Sequence, residues 1–250
     1  MLKRWLILTL VPLFLTGCAH IPKGPKLANT PPSRISGQSP AHFTKKITRT
    51  YQLDYQIYLP DNYLHSQEKF PLIIFLHGSG ERGTDVNLVK KHGVPKFVEG
   101  KKDFPFIAVS PQCPLKQYWD TEVLNALLTR IESKYRVDRD RIYLTGLSMG
   151  GYGTWNWACE YPERFAAIAP VCGGGDPDMA DKLKEVPVWV FHGAQDTVVL
   201  PKESEKMVEA VKAAGGDVKF TLFPDLDHYC WEDIYNGTEL YDWFLSHRRK

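Results

Sequence analysis

Ile142-Tyr143-Leu144-Thr145-Gly146-Leu147-Ser148-Met149-Gly150-Gly151-Tyr152-Gly153 is the stretch on which the reading of this chain turns. It opens with apolar and β-branched residues fit for a buried strand. Tyr152-Gly153-Thr154-Trp155-Asn156-Trp157-Ala158 then reads as helix. A strand that passes straight into a helix through Gly-x-Ser-x-Gly forms a nucleophile elbow. The turn is sharp enough to strain the serine, and flanking residues without a Cβ let strand and helix pass closely. Ser148 Oγ is expected above the sheet, near a helix N-terminus whose partial positive charge favours an anionic intermediate.

Outward from the elbow, Phe70-Pro71-Leu72-Ile73-Ile74-Phe75-Leu76 is a continuous apolar run, as expected of a strand covered on both faces. Further strands are expected at Phe106–Ser110, Arg141–Thr145, Phe165–Val171, Val186–Phe191 and Val218–Phe223, with an alternating one at Tyr51–Leu59. Helical spacing covers Val123–Tyr135, the elbow helix to about Tyr161, Glu203–Ala214 and a final helix over Trp231–Phe244. Strands alternating with helices predict an α/β fold, a mostly parallel sheet with helices on both faces. One domain from about residue 41 to 250 accounts for all of it.

The 250 residues are 43% hydrophobic and 24% charged, ordinary for a globular protein with a full core. The formal charge of +2, with no basic block, gives a nucleic-acid partner no electrostatic support. Neither Cys-x-x-Cys nor His-Glu-x-x-His occurs, so no metal and no cofactor is expected.

The first residues read as a targeting segment. Lys3-Arg4 precede an apolar stretch from Trp5 to Leu15 that is too short to span a bilayer comfortably. It ends in Leu15-Thr16-Gly17-Cys18, which resembles the lipobox of bacterial lipoproteins. The resemblance implies a signal peptide over 1–17, lipid on Cys18 and membrane attachment through that anchor. Ala19 in place of aspartate implies the outer membrane of a bacterial envelope. Residues 18–40, rich in proline, read as an extended tether. Cys113, Cys159, Cys172 and Cys230 remain; Cys172 and Cys230 fall in loops expected at one end of the sheet and form the favoured pair, with free half-buried thiols as the alternative.

Ligands of an open parallel sheet collect at the carboxyl ends of its strands. Ser148, Asp196, His228 and the loop His77-Gly78-Ser79-Gly80 all fall at such ends. His228, after the last strand, is the expected base, since His77 and His192 precede glycines at strand ends where a ring braces a loop. Asp196 is the expected acid, with Asp176 and Asp178 as rivals. Asp225 and Asp227 lie too near His228 in sequence to reach its far nitrogen. An oxyanion formed on Ser148 would need fixed donors, expected at the backbone N–H groups of Met149 and Ser79. Glu81 and Arg82 are expected to pair with each other and hold that loop.

Leu76-His77-Gly78-Ser79-Gly80-Glu81-Arg82-Gly83, Ser110-Pro111-Gln112-Cys113-Pro114, Gly146–Gly153, Phe191-His192-Gly193-Ala194-Gln195-Asp196 and His228-Tyr229-Cys230-Trp231 occur in that order. Together they resemble the secreted serine esterases of the α/β-hydrolase superfamily. The nearest groups are carbohydrate esterase family 1 (feruloyl and acetylxylan esterases) and the related phospholipase/carboxylesterase and "predicted peptidase" groups. The resemblance, over residue 45 to the end, implies the triad Ser148, Asp196 and His228 with donors at Ser79 and Met149. It implies an ester substrate, such as an acylated polysaccharide.

Cys172 to Glu185 is too short an interval for a large lid, so an uncovered cleft is expected. Trp119 and Trp231 are expected to flank it, either stacking on sugar or phenolic rings or packing into the core. A peptidase with the same triad and a non-catalytic envelope lipoprotein are the alternative functions.

Overall fold

The computed structural model describes residues 43–249 except 47 and 49. Residues 1–42, which hold the expected signal peptide, Cys18 and the tether, lie outside the described residues. The chain divides after Thr48, and the fold below is that of the unit from Arg49 onward.

Seven strands form one sheet: β1 (Tyr55–Tyr58), β2 (Phe70–Leu76), β3 (Ile107–Pro111), β4 (Val137–Leu147), β5 (Ala167–Val171), β6 (Val188–Gly193) and β7 (Val218–Phe223). Their order is β1-β3-β2-β4-β5-β6-β7; β1 runs antiparallel to β3 and the other neighbours are parallel. Six α-helices accompany them: α1 (Gly93–Phe97), α2 (Thr121–Lys134), α3 (Met149–Glu160), α4 (Pro201–Ala213), α5 (Trp231–Asn236) and α6 (Glu239–Leu245). This is the α/β-hydrolase fold without a large lid. The interval from β5 to β6 holds a 3-10 stretch, Pro177–Leu183. No helix among the described residues is long and apolar enough to cross a membrane.

The unbroken apolar run of β2 has a simple cause: both its faces are covered. Leu72, Ile74 and Leu76 enter one core with Leu124, Leu128 and Ile131 of α2, Trp155 and Trp157 of α3, and Met207 and Val211 of α4. Ile73 and Phe75 enter the opposite core with Val94 of α1, Ile234 and Tyr235 of α5, and Leu240 and Phe244 of α6. The strand period of two divides one sequence between two layers. Each fully buried side chain of this size contributes roughly 1.5–3 kcal/mol.

Several boundaries differ from the sequence pattern. Strand β4 begins at Val137, because Val137 pairs with Phe70 before a register shift; the charged Asp138, Arg139 and Asp140 that follow hid the strand. The tail is two helices divided at Gly237, not one. Helix α1, five residues long, is too short to show a period. It starts at Gly93, whose φ of +66° and contact with the Phe75 ring leave no room for a side chain.

Candidate active site

The elbow is a backbone crossing. Ser148 caps α3 with φ 54° and ψ −117°, a conformation rarely open to an L-residue, and donates its N–H to the Val171 carbonyl at 3.0 Å. A Cβ on Gly150 would run into the Leu76 carbonyl, and one on Gly146 into the Gly150 carbonyl. Only glycine lets α3 leave β4 at that angle while lying against the end of β2. Met149 and Ser79 each open a helical turn, where backbone N–H groups have no partner within the helix.

Asp196 and His228 meet because β6 and β7 are parallel neighbours, with His192 in register with Leu222. Beyond the strands their loops stay joined: Ala194 N–H donates to the Phe223 carbonyl at 2.8 Å and Gln195 N–H to Leu226 at 3.0 Å. Three segments meet here side chain to side chain. His228 Nε2 lies 2.9 Å from Ser148 Oγ, and His228 Nδ1 lies 2.6 Å from Asp196 Oδ2. The other carboxylate oxygen accepts N–H bonds from Val198 at 2.8 Å and Val199 at 2.9 Å. The rival Asp176 is spent capping the Pro177–Leu183 turn, and Asp227 accepts the Tyr229 N–H.

A second imidazole bears on the same carboxylate. His192, fully buried, points Nε2 at Asp196 Oδ2 (3.1 Å) and the Val199 carbonyl (2.9 Å). Two acceptors face that nitrogen, so it carries the proton. Its Nδ1 meets Ser204 Oγ at 2.7 Å. His192, expected as a loop brace, instead supports the Asp196 carboxylate. The histidine at a strand end, four residues before the acid, was the available signal.

The loop after β2 is held from both sides. His77 Nε2 accepts the Cys113 N–H at 2.9 Å, so its proton sits on Nδ1, 2.5 Å from the Gly78 carbonyl. Burial pushes the ring down to about 4, so it is neutral at neutral pH. Gly78 lies against the nucleophile, its absent Cβ position 3.7 Å from Ser148 Cβ and 2.9 Å from Leu147 Cδ1. Glu81 and Arg82 do not pair as expected. Arg82 donates instead to the carbonyls of Ser79 (3.0 Å) and Gln117 (3.1 Å), while Glu81 is buried 3.9 Å from His77.

The two tryptophans sit at the site but behind it. Trp119 donates its indole N–H to the His77 carbonyl at 3.3 Å and packs edge-on against that ring, bracing the loop. Trp231 is 4% exposed, wedged against His228, His92 and Tyr229. The ring open to solvent beside the base is Tyr229, 65% exposed. Of the two roles expected for Trp231, stacking on a substrate ring or packing into the core, its burial fits the second: an aromatic at the start of an amphipathic helix turns inward. Cys172, Asp196 and His228 bring one donor atom each within 4.8 Å, all three residues buried. A metal there would displace the hydrogen bond between His228 and Asp196.

Residues 50–214 match the family described as "Putative esterase". The chain belongs to that family. It is 27% identical over 154 residues to the bifunctional acetylxylan esterase/xylanase of Neocallimastix patriciarum, covering 58% of this chain and 22% of the relative. It is also 27% identical over 156 residues to an Aspergillus terreus protein named "Probable feruloyl esterase C", covering 58% of this chain and 56% of the relative. The chain thus spans less than two thirds of the length of these curated relatives. Among solved structures, a thermostable esterase superposes with a TM-score of 0.69 at 32% identity, covering 79% of this chain and 60% of the other. A ferulic acid esterase superposes at 0.58 with 21% identity, covering 75% of this chain and 89% of the other, a likeness of fold.

Proposed function

We propose that this protein hydrolyses carboxylic esters by transferring the acyl group to Ser148 and then to water. The observation that carries the reading is the unbroken line from Ser148 Oγ through His228 to Asp196, with contacts of 2.9 and 2.6 Å. As Ser148 attacks the acyl carbon its proton passes to His228 Nε2, and Asp196 steadies the imidazolium through Nδ1–H. The oxyanion is received by the N–H groups of Met149 and Ser79, at the positive end of α3. His228 then returns the proton to the departing alcohol, and water repeats the sequence on the acyl-enzyme.

Acyl groups on carbohydrate are the proposed natural substrate. Family membership and relatives named for acetylxylan and feruloyl ester cleavage support this reading. Turnover of p-nitrophenyl acetate, abolished in Ser148→Ala, tests the mechanism. Methyl ferulate and acetylated xylan against aminoacyl anilides test the substrate class: esters are expected to be cleaved and anilides spared, and the opposite preference would overturn the esterase reading.

We also propose that residues 1–17 are removed as a lipoprotein signal, that Cys18 carries lipid, and that 18–40 tether the domain of residues 41–250 to the outer membrane of a bacterial envelope. Incorporation of radiolabelled palmitate in an expressing bacterium, lost in Cys18→Ala, is the expected result. Label retained in that variant refutes it.

A further inference from the structure

Two buried groups beside the relay take no part in the chemistry proposed above. Cys172 follows β5 and Cys230 caps α5, with 0% and 1% exposure, and both belong to the core on the α5 and α6 side. Both thiols are free, and they lie near enough for Cys230 to bear on the Cys172 thiol. Cys172 Sγ also lies within 4.8 Å of Asp196 and His228 donor atoms, and Cys230 is two residues beyond His228. The pair therefore joins the floor of the site to the loop that carries the base.

The backbone at Cys172 adds an independent mark. Its φ is +38°, in the left-handed region that a side chain disfavours, although Gly173, Gly174 and Gly175 follow at once. Glycine would adopt this conformation without strain. The backbone is pinned there by Cys172 N–H donating to the Phe191 carbonyl at 2.9 Å, and the Cys172 side chain enters the same core as Cys230. The remaining buried cysteines are elsewhere: Cys113 behind His77, and Cys159 in α3 on the opposite face of the sheet.

We propose that Cys172 and Cys230 are a cross-linking site, closing to a disulfide when the chain folds in the presence of a small-molecule disulfide. The first protein thiolate attacks glutathione disulfide and releases one glutathione as its thiol. The second protein thiolate attacks the mixed disulfide and releases the other. The protein loses two electrons and two protons, and glutathione disulfide gains them as two thiols. In the finished fold the pair is sealed, and burial holds the Cys172 thiol well above its ordinary range, which removes the thiolate that exchange requires. The cross-link thus forms while α5 is still open, and the reduced native protein resists it.

The test is refolding of the full chain from denaturant in reduced and oxidised glutathione, followed by alkylation, digestion and mass spectrometry. A peptide linking Cys172 to Cys230, two hydrogens lighter, is expected, with Cys113 and Cys159 alkylated and Cys18 read from its own peptide. The cross-linked form should melt higher than the reduced form by on the order of 5–10 °C, a gain absent in Cys230→Ser. Alkylation of both Cys172 and Cys230 after refolding overturns the proposal, as does a bridge from either to Cys113 or Cys159. The mapping is done on the unaltered chain, so it stands even if the serine variant fails to fold. It also needs no ester turnover, so it fails or succeeds apart from the proposed activity.

Discussion

Ser148 and the pair His228–Asp196 are placed by different physics. The serine is positioned by main chain: a strained φ of 54°, an N–H on Val171, and glycines that let α3 cross the ends of β2 and β4. Asp196 and His228 add a side-chain network to the main chain that brings their loops together. Asp196 accepts from two imidazoles and two backbone N–H groups, and His192 rests in turn on Ser204. A backbone crossing has no tolerance for an added carbon and no interest in side-chain chemistry. A side-chain network has the opposite character. The two halves should therefore break differently.

The largest effect is expected at the crossing. In Gly150→Ala the new methyl meets the Leu76 carbonyl, which belongs to the ladder between β2 and β4 and cannot turn aside. Overpacking ordinarily costs about 1–3 kcal/mol, and with main chain as the obstacle the loss should be at or above the upper end of that range. Urea unfolding reads it, with Ser148→Ala as the reference: that variant keeps the crossing and should stay within about 0.5 kcal/mol of the parent. A Gly150→Ala midpoint equal to the parent's would show that the backbones are not in contact as described.

The network should fail more gently. His192→Ala removes one donor from Asp196 and leaves a cavity, yet the carboxylate keeps His228, Val198 and Val199. Because the substitution loosens the acid without touching substrate, kcat for p-nitrophenyl acetate should fall by roughly 10–100-fold with KM nearly unchanged. His192→Gln, which can still present an N–H, should recover part of the loss. A purely structural role for His192 predicts instead that the folded fraction falls while kcat per folded molecule holds.

What the sequence made legible follows the same division. The elbow is local, twelve consecutive residues, and the β2 run declares its two covered faces through composition alone. Asp196 and His228 could be selected because parallel strands put their following loops at one rim. The His192 contact has only the spacing of a strand-end histidine four residues before Asp196 to mark it, because it depends on how a turn between Gly193 and Val199 folds the carboxylate back over its own strand end. Nor does the sequence say which aromatic of Tyr229 and Trp231 faces water. That choice belongs to α5, whose first residue turns toward the core on the α1, α5 and α6 side.

The smallest effect concerns the loop that borrows from both regimes. His77 is a side chain, yet everything it holds is main chain: the Cys113 N–H and the Gly78 carbonyl. Its ring is 1% exposed and sits at about 4, lowered by burial from 6.5. The unfolded chain takes up a proton below about pH 6.5 while the folded chain does not until about pH 4, so stability falls with pH across that window and levels off below it. Between pH 7 and 5.5 the share due to this residue is about 1 kcal/mol. His77→Gln keeps an acceptor for Cys113 but cannot titrate. Its urea midpoint should start lower than the parent's at pH 7 and decline less as the solution is acidified, so that the gap narrows. Parallel declines in the two proteins would mean that the ring is hydrated and charged in the folded state, and that the loop against Ser148 is held by Trp119 and Arg82 alone.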